Sequence, residues 1–104
     1  MVQEINDKGA YDAKKASGKL VVDYHATWCG PCKVIAPKIE ALAQEYSDIA
    51  FIKVDVDKGS DIAQEEKISA MPTFRFFNNG QQVGEVVGAN EAAIRQEVEK
   101  LKAL

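Results

Sequence analysis

Cysteine and histidine are nearly absent from this chain: among 104 residues there are two cysteines, Cys29 and Cys32, and one histidine, His25. A closed zinc site needs four such ligands and falls short within the chain. Long apolar runs are missing too, and none approaches the roughly 20 residues of a membrane-spanning helix. Thirteen Lys and Arg stand against sixteen Asp and Glu, a formal charge of −3. The signs are interspersed. With no basic stripe to neutralise phosphates, nucleic acid is not an expected partner. The opening residues Val2-Gln3-Glu4-Ile5-Asn6-Asp7 lack the basic-then-apolar order of a secretory signal and the arginines of a transit peptide. A reducing intracellular compartment, the cytoplasm, is the expectation; an organellar mature form would read the same way.

What is present suffices for a core. Hydrophobic residues make up 46% of the chain, and a length near 100 residues buries roughly two-thirds of the unfolded surface without staples or metals. No repeat, low-complexity segment or interdomain linker interrupts it. One domain over residues 1–104 is expected.

The pattern along the chain alternates strands and helices. Val2 to Ile5 reads as a short edge strand. Asp7 can cap a helix that passes Tyr11 and ends near Ser17-Gly18. The run Leu20-Val21-Val22-Asp23-Tyr24-His25-Ala26 reads as a strand buried on both faces. A turn over Thr27 to Pro31 leads into a helix from Cys32. There Ile35, Ile39, Leu42 and Tyr46 recur at helical spacing, and Pro37 predicts a kink. Ala50 to Val56 is the next strand, which closes a βαβ unit with two parallel strands. A short helix runs through Ile62 to Lys67. Thr73 to Phe77 and Gln82 to Val87 flank Asn78-Asn79-Gly80-Gln81 as a hairpin. Asn90 caps a last helix with Ile94, Val98 and Leu101 inward. The class is α/β, a mixed sheet with helices on both faces.

Four readings compete for Cys29 and Cys32. As a staple, so short a loop would contribute only about 2 kcal/mol. As zinc ligands they supply half a site. Inert buried thiols are the ordinary fate of core cysteines. The fourth reading, a redox pair, is favoured by this spacing beside a βαβ unit. Cys29 falls where a helix begins, and the N–H groups and macrodipole there favour an anionic sulfur. Cys32, three residues on, shares that face. Gly30 is expected to relieve crowding between them, and Pro31 to fit the first helical turn.

The segment Trp28-Cys29-Gly30-Pro31-Cys32-Lys33 resembles the active-site motif of the thioredoxin family. The resemblance extends over nearly the whole chain, through Val21-Val22-Asp23, Pro37, Lys53-Val54-Asp55, Met71-Pro72-Thr73, Asn79-Gly80 and Val87-Gly88-Ala89. It implies a thioredoxin-like fold, with a mostly five-stranded mixed sheet between four helices. It also implies a protein disulfide reductase, in which Cys29 attacks a substrate disulfide and Cys32 resolves the mixed disulfide. The redox group would be the Cys29–Cys32 disulfide itself, with no bound cofactor and no metal. Implied partners are disulfide-containing proteins and an NADPH-dependent flavoprotein thioredoxin reductase, and the chain would be a monomer. Gly30-Pro31 between the cysteines favours a reductant over a same-fold oxidase or isomerase. A redox-independent binding subunit is the alternative from another class.

Other residues take roles around this pair. Asp23, a carboxyl midway along a buried strand, should have a raised pKa. It is the candidate proton acceptor for Cys32, a role the family's buried aspartate supports. Lys53, on the neighbouring strand, is a candidate modulator of Asp23. The resemblance makes Pro72 a cis proline facing the cysteines and leaves the Met71 backbone available to a substrate segment. Trp28, Gly30, Pro31, Met71, Pro72, Gly88 and Ala89 would form a shallow apolar docking face. His25 departs from the aromatic often found four positions before the first cysteine, and is read as a packed residue without a role. Asp57, Lys58 and Asp61 read as solvated loop charges.

Overall fold

The apolar run around Val21 becomes the middle of the molecule. In the computed structural model, which describes residues 2–104, this run is strand β2 (Lys19–His25), buried along its length and exposed only partly at its two ends. Around it stand β1 (Gln3–Glu4), α1 (Lys8–Lys15), α2 (Gly30–Glu45), β3 (Ala50–Asp55), α3 (Ser60–Glu65), β4 (Thr73–Asn78), β5 (Gln81–Val87) and α4 (Glu91–Ala103). The five strands make one sheet in the order β1-β3-β2-β4-β5. β1, β3 and β2 run parallel, whereas β4 and β5 are antiparallel to their neighbours. The mixed five-stranded sheet with four helices is the architecture that the sequence implied.

Alternation along β2 divides the core in two, because successive strand side chains point to opposite faces. Val21 joins Ile35, Ile39 and Leu42 of α2, Phe74 and Phe76 of β4, and Ile94 and Val98 of α4. Leu20, Val22 and Tyr24 join Tyr11 of α1, Ile62 of α3 and Phe77 on the other face. By the same parity Asp23 and His25 lie on the α2 side. On the α1 side, the Tyr11 and Tyr24 hydroxyls share a 2.5 Å hydrogen bond, and Tyr11 also donates to Glu66. Burial pushes both phenols above their ordinary range; at Tyr11 the Tyr24 and Glu66 partners add to it, whereas at Tyr24 the bond to Tyr11 pulls part-way back.

Local signals place most element ends. Asp7 Oδ2 accepts the Ala10 N–H at 2.9 Å, and Asn90 Oδ1 accepts the Ala93 N–H at 3.0 Å, so both expected N-caps form. Asn79 and Gly80 take φ of 51° and 87°, the left-handed pair that a tight hairpin between β4 and β5 requires. Pro37 lies inside α2, which continues through it to Glu45. Other boundaries move by a residue or two. α2 starts at Gly30 rather than Cys32, and α3 at Ser60. β1 shrinks to two exposed residues between the buried Val2 and Ile5.

Candidate active site

The first turn of α2 has backbone N–H groups with no acceptor inside the helix. Cys29 is the N-cap of that turn, and its Sγ accepts the Cys32 N–H at 3.2 Å, where a Ser or Asp oxygen more often sits. Gly30 and Pro31 follow as the first helical residues, where the missing proline N–H leaves no hydrogen bond unmade. Cys29 and Cys32 are joined in a disulfide with Cα atoms 5.3 Å apart. Both are buried against Ala26, Val56 and Met71.

Across from them lies the connection into β4. The Met71–Pro72 peptide is cis, and the Met71 carbonyl oxygen is 3.7 Å from Cys29 Sγ. Thr73 Oγ1 donates to Ala70 O at 2.6 Å, and the Gly88 N–H donates to Pro72 O at 2.8 Å, holding both ends of this segment. Met71 is therefore brought to the cysteines, with Pro72 next to it in the chain and Gly88 bonded to Pro72. Ala89 is exposed at the next position and is tied to this group through the chain.

Trp28 is 65% exposed beside the disulfide, and its indole N–H donates to Asp57 Oδ2 at 2.9 Å. Asp57 is thus not merely a solvated charge. The signal was in the topology: β2 and β3 are parallel neighbours, so the loops leaving their C-terminal ends emerge together. Val34 and Val87 are also exposed, one turn past Pro31 and just before Gly88, and add apolar surface that sequence reasoning did not single out.

Gly30 corrects one expectation. Beyond its chain neighbours, a Cβ built there meets nothing within 4 Å, so the glycine relieves no crowding against the Cys32 sulfur. The side of α2 that it occupies is open.

Beneath the disulfide, Asp23, His25, Cys32, Lys33 and Lys53 line a cleft of about 250 Å³. Asp23 and Lys53 are register partners on β2 and β3. Asp23 is 6% exposed, and its Oδ1 has no hydrogen-bond partner. Burial pushes its carboxyl up from 3.8 to about 7, with the Lys53 charge pulling part-way back. Among the described residues no three His, Cys, Asp or Glu side chains converge on a metal position. Nor is any described helix long and apolar enough to cross a membrane.

The sequence model of the family described as Thioredoxin matches residues 2–100. This chain belongs to the thioredoxin family. It is 53% identical over 100 residues to Thioredoxin-2 of Saccharomyces cerevisiae, covering 94% of this chain and 96% of that one. To human thioredoxin it is 45% identical over 104 residues, covering 97% and 99%. In three dimensions it is similar to thioredoxin from Trypanosoma brucei brucei, with a TM-score of 0.95 at 30% identity, covering 100% and 93%. Plasmodium falciparum thioredoxin gives a TM-score of 0.92 at 40% identity, covering 95% and 98%. Membership together with the Cys29–Cys32 disulfide makes this thioredoxin-family protein a thiol–disulfide oxidoreductase that acts on protein disulfides. Its redox group is part of the chain, the disulfide itself.

Proposed function

We propose that the chain works in the reducing direction, in the cytoplasm and as a monomer, and that an NADPH-dependent flavoprotein reductase returns it to the dithiol. The observation that carries this reading is the Cys29 sulfur at the mouth of α2, bonded to Cys32 one turn inside. In the dithiol form, the unsatisfied N–H groups favour a Cys29 thiolate. That thiolate attacks a substrate disulfide; one substrate sulfur leaves as a thiolate, and a mixed disulfide remains on Cys29. Asp23 then takes the Cys32 proton. The Cys32 sulfur attacks Cys29, its bond to the substrate breaks, and the second substrate thiolate departs. Two electrons have moved from the pair to the substrate.

The remaining residues serve this exchange. Lys53 moderates the Asp23 charge. Trp28, Met71, cis-Pro72, Gly88 and Ala89 form the docking face, with the Met71 backbone pairing to an extended substrate strand. A cis proline opposite the sulfurs also points no N–H at them. Gly30 and Pro31 tune the pair, and the open side of Gly30 admits the substrate backbone.

Insulin reduction driven by dithiothreitol or by a flavoprotein reductase tests the reading. The native chain should precipitate insulin, and a Cys29→Ser, Cys32→Ser form should not. Equilibration of the pair with glutathione then sets direction. A pair that stays oxidised at cytosolic glutathione poise supports a reductant, whereas a pair that is readily reduced makes the chain an oxidase or isomerase.

A further inference from the structure

A carboxyl that collects a proton at each turnover must also release it, and Asp23 is nearly sealed from water. Three other cleft residues carry exchangeable protons on nitrogen: His25, Lys33 and Lys53. An ammonium has no lone pair to accept a proton, whereas an imidazole can accept at one nitrogen and donate at the other. His25 is two residues along β2 from Asp23 on the same face, with backbones roughly 7 Å apart, and both side chains line the same cleft, where water can carry a proton between them.

The environment of His25 leads outward. Its Nε2 is buried with no hydrogen-bond partner, while Glu4 Oε1 on β1 lies 3.5 Å away, close enough for attraction but not aligned for a hydrogen bond. The His25 side chain is 15% exposed and that of Glu4 32%. Asn6 Nδ2 donates to Glu4 Oε2 at 2.8 Å, and Asn6 Oδ1 accepts the Asp55 N–H at 2.8 Å, so the Glu4 carboxylate is anchored to β3. Glu4, Lys53 and Asp23 form one row across β1, β3 and β2. Asp55, the register partner of His25, is occupied by the N–H groups of Asp57 and Lys58. Lys33 faces the same cleft from α2. Of these charged neighbours, Glu4 is the anion directed at the imidazole.

We propose that His25 and Glu4 form the proton outlet of Asp23, with His25 taking the proton from the cleft and Glu4 delivering it to solvent. The inference rests on Asp23 being the proton acceptor for Cys32. Asp23 first holds the proton that Cys32 gave up. Water in the cleft transfers it to His25, the imidazolium passes a proton from Nε2 to Glu4, and Glu4 releases it to bulk water, which leaves His25 neutral and both Glu4 and Asp23 ionised. No electron moves in this sequence. His25 is a positioning and relay residue and need not touch the substrate.

The direct test is the rate at which Asp23 exchanges its proton, read by relaxation dispersion of its carboxyl carbon at the titration midpoint. His25→Phe should slow this exchange by roughly tenfold, with added imidazole restoring it, because a diffusible carrier replaces a missing relay and not a missing structural contact. His25→Gln keeps a polar side chain without a proton carrier and should be equally slow, which covers the case of a poorly folded phenylalanine variant. Glu4→Gln should be slowed less. Exchange at the native rate in the folded His25→Gln form overturns the outlet. Its failure is distinct from failure of Asp23 as acceptor, which shows instead as native mixed-disulfide resolution in Asp23→Asn.

Discussion

Asp23 and Lys53 face each other across the parallel strands β2 and β3, yet the buried Asp23 Oδ1 has no hydrogen-bond donor. Lys53 therefore acts on the carboxyl through its charge, against the larger effect of burial. A carboxyl that ionises near 3.8 in the unfolded chain and near 7 in the fold disfavours the native state as pH rises between those values. The loss is absent below the lower value and complete above the upper one, at most roughly 4 kcal/mol. Asp23→Asn should thus melt higher than the native chain at pH 8, with the difference vanishing near pH 4. The same variant should resolve mixed disulfides more slowly. Thermal melts across pH and a single-turnover assay check both halves.

Removing the cation should move Asp23 further. With Lys53→Met the carboxyl loses its one favourable charge, so its titration should rise above about 7. The pH range over which stability falls should extend upward with it. Carbon-detected titration of Asp23 in both proteins reads the shift, and an unmoved midpoint would remove Lys53 as a modulator.

The bond between Trp28 and Asp57 orients an exposed ring and does little for the core. Asp57→Ala should change stability by no more than about 1 kcal/mol, since water competes for an exposed indole N–H. The ring should become more mobile, and KM for insulin should rise a few-fold with kcat nearly unchanged. Trp28 is the one tryptophan in the chain, so fluorescence anisotropy reports this ring without interference.

Glu66 supports the opposite face of the sheet, far from redox chemistry. It accepts from Tyr11, and Lys15 Nζ lies 3.0 Å and Arg75 Nη1 3.7 Å from its oxygens. Burial opposes its ionisation, but Tyr11 and Lys15 outweigh that and hold its carboxyl below the usual range. Glu66→Ala leaves buried hydroxyls short of an acceptor and should cost about 2–3 kcal/mol in urea unfolding, with insulin reduction retained. Glu66→Gln keeps an acceptor oxygen and should cost less.

Much of this arrangement was legible from local pattern. The apolar run at Leu20, the helical stripe from Ile35 to Tyr46, and the caps Asp7 and Asn90 each depend on residues a few positions apart. The Cys29–Cys32 spacing and its place at a helix start belong to the same class. The burial of Asp23 could also be read, because its neighbours in the strand are apolar on both sides.

Tertiary structure decided what depends on which strands lie side by side. Strand order brings Glu4 across β3 to His25, and puts Asp57 under Trp28, although each pair is distant in sequence. It also leaves Gly30 facing open space, where the sequence alone suggested crowding. Periodicity and capping are properties of one segment and survive in a linear reading. Proximity across a sheet follows from register and packing of the whole core, which no single segment contains.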